Sequence, residues 1–218
     1  MKRSLLLLGA VLVVAALAAA APMNVTLNKP VTLNGSFGVA YRPCCLDPSA
    51  PLADPSTLVD GVFLPAGTDW QSGTVWWDQG SPQSLFNNFE VNLQGLFTLT
   101  GVVIQADNND RYQVDVWMGG SWVPVWTAPI VPGSGMNTRP DPNDNSALFA
   151  ISPVQTDRIR VMALEGAGNG DGFASVSEIQ AWGEATQTGV VPEPGTNALI
   201  GAGLCLAALV ARRRRATS

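Results

Sequence analysis

The chain has 218 residues, with 12 Lys and Arg against 17 Asp and Glu, no His, and a formal net charge of −5. The absence of histidine removes the commonest general base and transition-metal ligand, which excludes Ser-His-Asp and Cys-His catalysis. Half of the basic residues lie at the two ends (Lys2, Arg3, Arg212, Arg213, Arg214, Arg215), so the remainder carries six basic against seventeen acidic residues, near −11. Such a charge repels phosphate backbones, argues against nucleic-acid partners, and favours solubility and divalent cations.

Lys2 and Arg3 precede an apolar stretch over residues 5–17 and then Ala18, Ala19, Ala20 and Ala21. A charged start, a short apolar run and an Ala-x-Ala exit define a secretory signal peptide, here residues 1–20. Cleavage is expected after Ala20, because cutting immediately before Pro22 is disfavoured; a permanent N-terminal anchor is the alternative.

Residues 21–57 read as an N-terminal strand near 31–33 followed by a Pro-rich loop. The loop holds Cys44 and Cys45. Adjacent cysteines bridge each other only with a strained backbone, and no metal-ligand spacing surrounds them. In an oxidising compartment a strained bridge, a capped thiol and, ranked last, a bond to another molecule are the outcomes open to them.

From residue 58 the pattern changes. Short runs of Val, Ile, Phe and Trp recur about every ten residues, separated by Gly, Asn, Asp and Pro, which is the pattern of an all-β sandwich or barrel. The expected strands are 73–77, 89–92, 99–106, 112–118, 122–127, 147–151, 158–163 and 176–183. Gly119-Gly120 marks a tight hairpin. Tyr112-Gln113-Val114-Asp115-Val116-Trp117 alternates, as does Arg158-Ile159-Arg160-Val161, so each has one buried and one wet face.

The end of the chain reads as a linker, residues 185–195, and a membrane-embedded sorting segment, residues 196–218. The linker contains Pro192, Glu193 and Pro194; the segment has an apolar run from 198 to 211 and then Arg212, Arg213, Arg214 and Arg215. The run is shorter than the roughly 20 residues that comfortably span a bilayer. The arginines stay cytoplasmic by the positive-inside rule, and the prolines keep the chain outside the membrane stiff and accessible. An ordinary tail anchor is the alternative, and the prolines combined with terminal arginines favour sorting. This order of Pro-Glu-Pro, apolar helix and arginine cluster resembles the PEP-CTERM signal of Gram-negative bacteria. The resemblance implies an exosortase as partner, an inner-membrane intermediate, and delivery to the envelope surface or an extracellular matrix.

Leu58-Val59-Asp60-Gly61, the strand Phe89-Glu90-Val91-Asn92-Leu93, the run from Gly101 through Asp107-Asn108-Asn109-Asp110-Arg111-Tyr112, and the ending Ser175-Val176-Ser177-Glu178-Ile179-Gln180-Ala181-Trp182-Gly183 resemble the discoidin, or coagulation-factor type C, domain. That family is one of the galactose-binding-like jelly rolls, so the resemblance implies a jelly-roll β-sandwich. It is assigned to residues 58–184, with the sandwich beginning near 30. Residues 61–76 form a longer stretch than the family's compact loop, and either Thr68-Asp69-Trp70 or Thr74-Val75-Trp76 can match its first Thr-x-Trp. The resemblance also implies a structural calcium at Asp60, Ser177 and Glu178, completed by backbone oxygens.

Sugar sites stack a ring face on an aromatic side chain and clamp hydroxyls with Asp, Asn or Arg. Loop tryptophans suit this best, so Trp70 stands first and Trp77 second, with Asp69, Asn108 and Asp110 as polar partners. Trp117, Trp126 and Trp182 lie within strands and read as core or interstrand packing. The expected function is a non-enzymatic carbohydrate-binding module on an exported surface or exopolysaccharide-matrix protein. A structural matrix protein without a small ligand is the rival, and a carboxylate glycosidase a weaker one.

Overall fold

The computed structural model describes residues 21–41, 47, 50–80, 87–164 and 172–186. The expected signal peptide, Cys44 and Cys45, and the sorting segment lie outside the described residues. Residues 21–186 form one compact unit. Among the described residues no helix is long and apolar enough to cross a membrane.

The fold is all-β and antiparallel. Its strands are β1 (Met23–Asn24), β2 (Val31–Asn34), β3 (Val75–Asp78), β4 (Asn88–Asp107), β5 (Tyr112–Met118), β6 (Ser121–Ala128), β7 (Met136–Arg139), β8 (Phe149–Ala163) and β9 (Phe173–Ala185). A 3-10 turn, Pro55–Val59, precedes residue 60; Asp54 caps it by accepting from the Ser56 amide, with Pro at its start.

One sheet folds over on itself to make the sandwich. The first half of β4 pairs with β2 and with the second half of β8, which pairs with β5 and then β6. The second half of β4 pairs with β9 and β7, and β9 carries β1 and β3 on its other edge. The fold-over sits where the β4–β8 register slips between Asn92 and Phe97. There Gln94 adopts φ 59° and its amide donates to the Asn92 Oδ1 at 2.9 Å, an Asx turn inside the strand. Sequence spacing predicts two strands, 89–92 and 99–106; the structure joins them through this turn so that one strand serves both layers. The expected 147–151 and 158–163 join in the same way into β8. The polar segments β7 and β1 have no apolar alternation, so sequence pattern alone does not mark them as strands.

Alternate residues of each layer point into a shared core: Phe89, Val91, Val114, Val116, Ile159 and Val161 from one, Val75, Trp77, Val102, Ile104, Val176, Ile179 and Ala181 from the other. Tyr112 stitches the layers. Its ring meets Trp77 edge-on at 6.3 Å and its hydroxyl donates to the Ser175 carbonyl at 2.9 Å. Trp126 is core and stacks on Phe149 at 4.9 Å, whereas Trp117 and Trp122 meet across the β5–β6 hairpin on the outer face, 5.2 Å apart. The hairpin turns through Gly119 and Gly120, both at positive φ (61° and 86°), as a two-residue turn requires.

Candidate functional site

Residues 60–73 run across the outer face of the β9–β4–β7 layer and are held there through their backbone, by side chains and backbone of the layer. The Leu64 amide donates to Gln105 Oε1 at 2.7 Å, and Gln105 Nε2 returns a bond to the Leu64 carbonyl at 2.8 Å. Further along, the Gly67 amide donates to the Met136 carbonyl at 2.9 Å and the Met136 amide to the Thr68 carbonyl at 2.8 Å. Gly135 makes this approach possible: its φ is 58°, and a Cβ there would lie 2.1 Å from the Thr68 oxygen.

At the start of this strap the exposed Asp60 comes near Glu178 of β9. Glu178 is fully buried at a β-bulge on β9. Its Oε1 accepts from the Gly61 amide and from Gln180 Nε2, each at 3.1 Å, while Oε2 has no partner. Burial pushes the Glu178 carboxyl up to about 8; the nearby Asp60 charge adds to this, and the bonds from Gln180 and Gly61 oppose it. The Asp60 Oδ1 is turned to the Val62 amide at 2.8 Å. Ser177 stands apart from the pair in function, because its hydroxyl donates to Gln105 Oε1 at 2.7 Å.

An orphaned, buried carboxylate oxygen beside a second carboxylate is a donor set for a hard cation. Among the described residues no group of three or more acidic, Cys or His side chains stands together, so such an ion would draw its remaining oxygens from the backbone.

The expected sugar contacts divide into two groups. Trp70 is half-buried at the end of the sandwich, stacked on Phe173 at 5.2 Å and meeting Trp76 edge-on at 5.9 Å. Asp69 beside it is exposed and accepts the Gln71 amide at 2.9 Å. Trp77 does not join them. It is 1% exposed and packs inward against Phe37 and Tyr112, since on a strand starting at Val75 residues 75 and 77 share the core face. This corrects its reading as a ligand contact.

Asn108 and Asp110 do reach the same end as Trp70, but as framework. Asn108 Nδ2 donates to the Gly133 carbonyl at 2.9 Å and the Val131 carbonyl at 3.3 Å, and so fixes residues 131–135. Asp110 is fully buried, with Oδ2 accepting the Tyr112 hydroxyl at 3.2 Å, so it presents nothing to a ligand.

The residue that organises this end is Arg139, which the sequence reading did not single out. It is fully buried. Its guanidinium donates to the carbonyls of Pro129 (3.0 Å), Ala106 (2.8 Å), Asn137 (3.4 Å), Asp107 and Asp110 (3.4 Å), and lies 5.6 Å from the Tyr112 ring centre. Burial draws it below its ordinary value, opposed by the charges of Asp107 and Asp110. One side chain thereby ties β4, β7 and both neighbouring loops into a single frame.

Residues 190–215 match the PEP-CTERM protein-sorting motif, the recognition signal for exosortase processing and export to the cell envelope. Among curated proteins, none matches this chain. In solved structures the chain is similar to the family 32 CBM of Clostridium perfringens NanJ, determined in complex with galactose: 17% identity, 74% of this chain and 98% of that one, TM-score 0.45. It is similar to chitosan-binding module 1 of a Paenibacillus sp. IK-5 chitosanase/glucanase, at 18% identity over 73% of this chain and 98% of that one, TM-score 0.43. It is also similar to a fucolectin from striped bass (Morone saxatilis) serum, at 14% identity over 78% of this chain and 51% of that one, TM-score 0.49.

Proposed function

We propose that this chain is an exosortase-sorted surface or matrix protein whose β-sandwich binds carbohydrate and performs no chemistry on it. The observation that supports binding is Trp70. Its indole is backed by Phe173, braced at the edge by Trp76, and flanked by the exposed polar residues Asp69 and Ser72. A ring held rigid in this way loses little freedom when a sugar's C–H face stacks on it. One such contact supports affinities of roughly millimolar to micromolar.

The non-catalytic reading rests on the carboxylates. Glycoside hydrolysis needs two of them flanking the bond. Asp60 and Glu178 converge, but Glu178 is sealed under the strap and cannot reach a bound sugar. The pair suits a structural calcium instead. Glu178 and Asp60 would hold such an ion, whose positive charge would offset the cost of an ionised Glu178 carboxylate under the strap.

A structural matrix protein is the second reading, favoured by the framework roles of Asn108 and Asp110. A broad glycan array decides between them. Binding by the wild type that Trp70→Ala weakens at least about tenfold, with the fold intact, supports the lectin reading. An array with no positive glycan supports the structural one.

A further inference from the structure

The outer face of the other layer carries a second aromatic surface. The Gly119–Gly120 turn sets the register so that Trp117 and Trp122 stand opposite each other on β5 and β6, both half-buried. Arg158 and Arg160 of β8 lie over them. The Arg158 guanidinium is 4.3 Å from the Trp117 ring centre and 5.8 Å from that of Trp122; Arg160 is 4.7 Å from Trp122.

The two arginines are in different electrostatic states. Arg160 is satisfied internally: its Nε and Nη2 both donate to Asp115 Oδ2, and Asp115 is fully buried with Oδ1 taking Gln113 Nε2. Arg158 is not. Its Nε meets Asp157 Oδ1 at 3.4 Å, a contact between side chains that are 35% and 52% exposed, and such surface pairs contribute little. Its two outer amino groups have no hydrogen-bond partner among the described residues. A planar cation stacked on a ring, with both outer donors open, is pre-organised for a carboxylate. The chain's long-range negative field is screened beyond about 8 Å at physiological salt, so it does not prevent a close pair here.

We infer that this face is a second binding site, separate from the loop end, and that its ligand is an acidic polysaccharide. A uronate carboxylate pairs with Arg158 and the sugar ring packs on Trp122. A polyphosphate fits less well: Arg160 is already neutralised and flanked across the sheet by Glu90, so among the described residues the face offers a single free cation. The site does not depend on the Trp70 reading.

The test uses the full chain with de-esterified oligogalacturonate and its methyl ester as probes in affinity electrophoresis. Oligogalacturonate should bind, more weakly as salt rises, and the neutral ester should bind at least about tenfold less. Arg158→Gln and Trp122→Leu should each weaken binding about tenfold, while Lys29→Gln, which removes a cation elsewhere on the domain, should leave it unchanged. Arg158→Lys covers a misfolded Arg158→Gln: it keeps the charge, loses the fork, and should still bind less tightly. Equal binding of acid and ester, wild-type binding by both Trp122→Leu and the folded Arg158 variant, or no binding by the wild type overturns the inference.

Discussion

A buried carboxyl next to a second one holds its proton more tightly than in water. In the folded domain Glu178 is pushed up to about 8, from an ordinary 4.5 when unfolded. Between those values the native state binds more protons than the unfolded chain, so in chelator stability should fall as pH rises from about 4.5 to about 8, by at most about 5 kcal/mol. Glu178→Gln should flatten that slope in urea melts. Millimolar calcium should restore wild-type stability at pH 8 and leave Glu178→Gln unmoved, because an ion that binds only the native state stabilises it by mass action. A calcium-insensitive wild type contradicts the metal role. At Arg139, truncation leaves five carbonyls facing a void, and Arg139→Met should cost about 3–5 kcal/mol in the same melts, with Lys a poor substitute because a point charge cannot span the fork. The sequence brings Asp60 and Glu178 forward as a pair because early and late segments lie together in this kind of sandwich. Arg139 was not legible there, because its partners are backbone carbonyls, which no side-chain pattern marks. The fates of Trp76 and Trp77 were not either, because two adjacent tryptophans read alike until the strand's first residue fixes which one faces the core.

Among the elements, turn chemistry was the most legible feature and strand length the least. The Gly119–Gly120 hairpin stands where its dipeptide predicts, and β5 has the expected bounds, Tyr112–Met118. The sequence predicts shorter strands because Asn92, Gln94 and Gly95 are the residue types of a loop; here that turn is an irregularity within β4, and hydrogen bonds resume with both neighbours. Glycine has distinct duties along these strands. At Gly119 nothing lies within 4 Å of a built Cβ, so Gly119→Ala should cost only the positive-φ strain, about 1 kcal/mol. At Gly183 a Cβ would sit 2.3 Å from the Thr98 carbonyl and 3.0 Å from the Leu99 Cα, where β9 pairs with β4 beside a second register shift, between Leu99 and Gly101. Gly183→Ala should therefore cost more, about 2–3 kcal/mol, by forcing two backbones apart. Thermal melts of the two variants side by side check the ranking; equal losses would mean that β9 and β4 yield easily at this crossing.

On the scale of the domain, residues 21–186 begin and end side by side. β1 pairs Met23 with Gly183, and the Thr186 amide donates to the Leu96 carbonyl beside the β4 fold-over. Trp70 lies over Phe173, at the opposite end of β9. Trp70 thus stands away from the end at which the described domain is entered and left. The matched motif at residues 190–215 supplies the sorting signal, and because its four arginines resist transfer through the bilayer, cutting is expected to separate them from the exported part. Every binding claim made for the sandwich depends on its reaching the outside in that trimmed form. The intact mass of the protein recovered from the cell surface tests this most directly. The account predicts a chain that starts after Ala20 and ends near Pro192 to Pro194; a surface form that still carries Arg212, Arg213, Arg214 and Arg215 would contradict it.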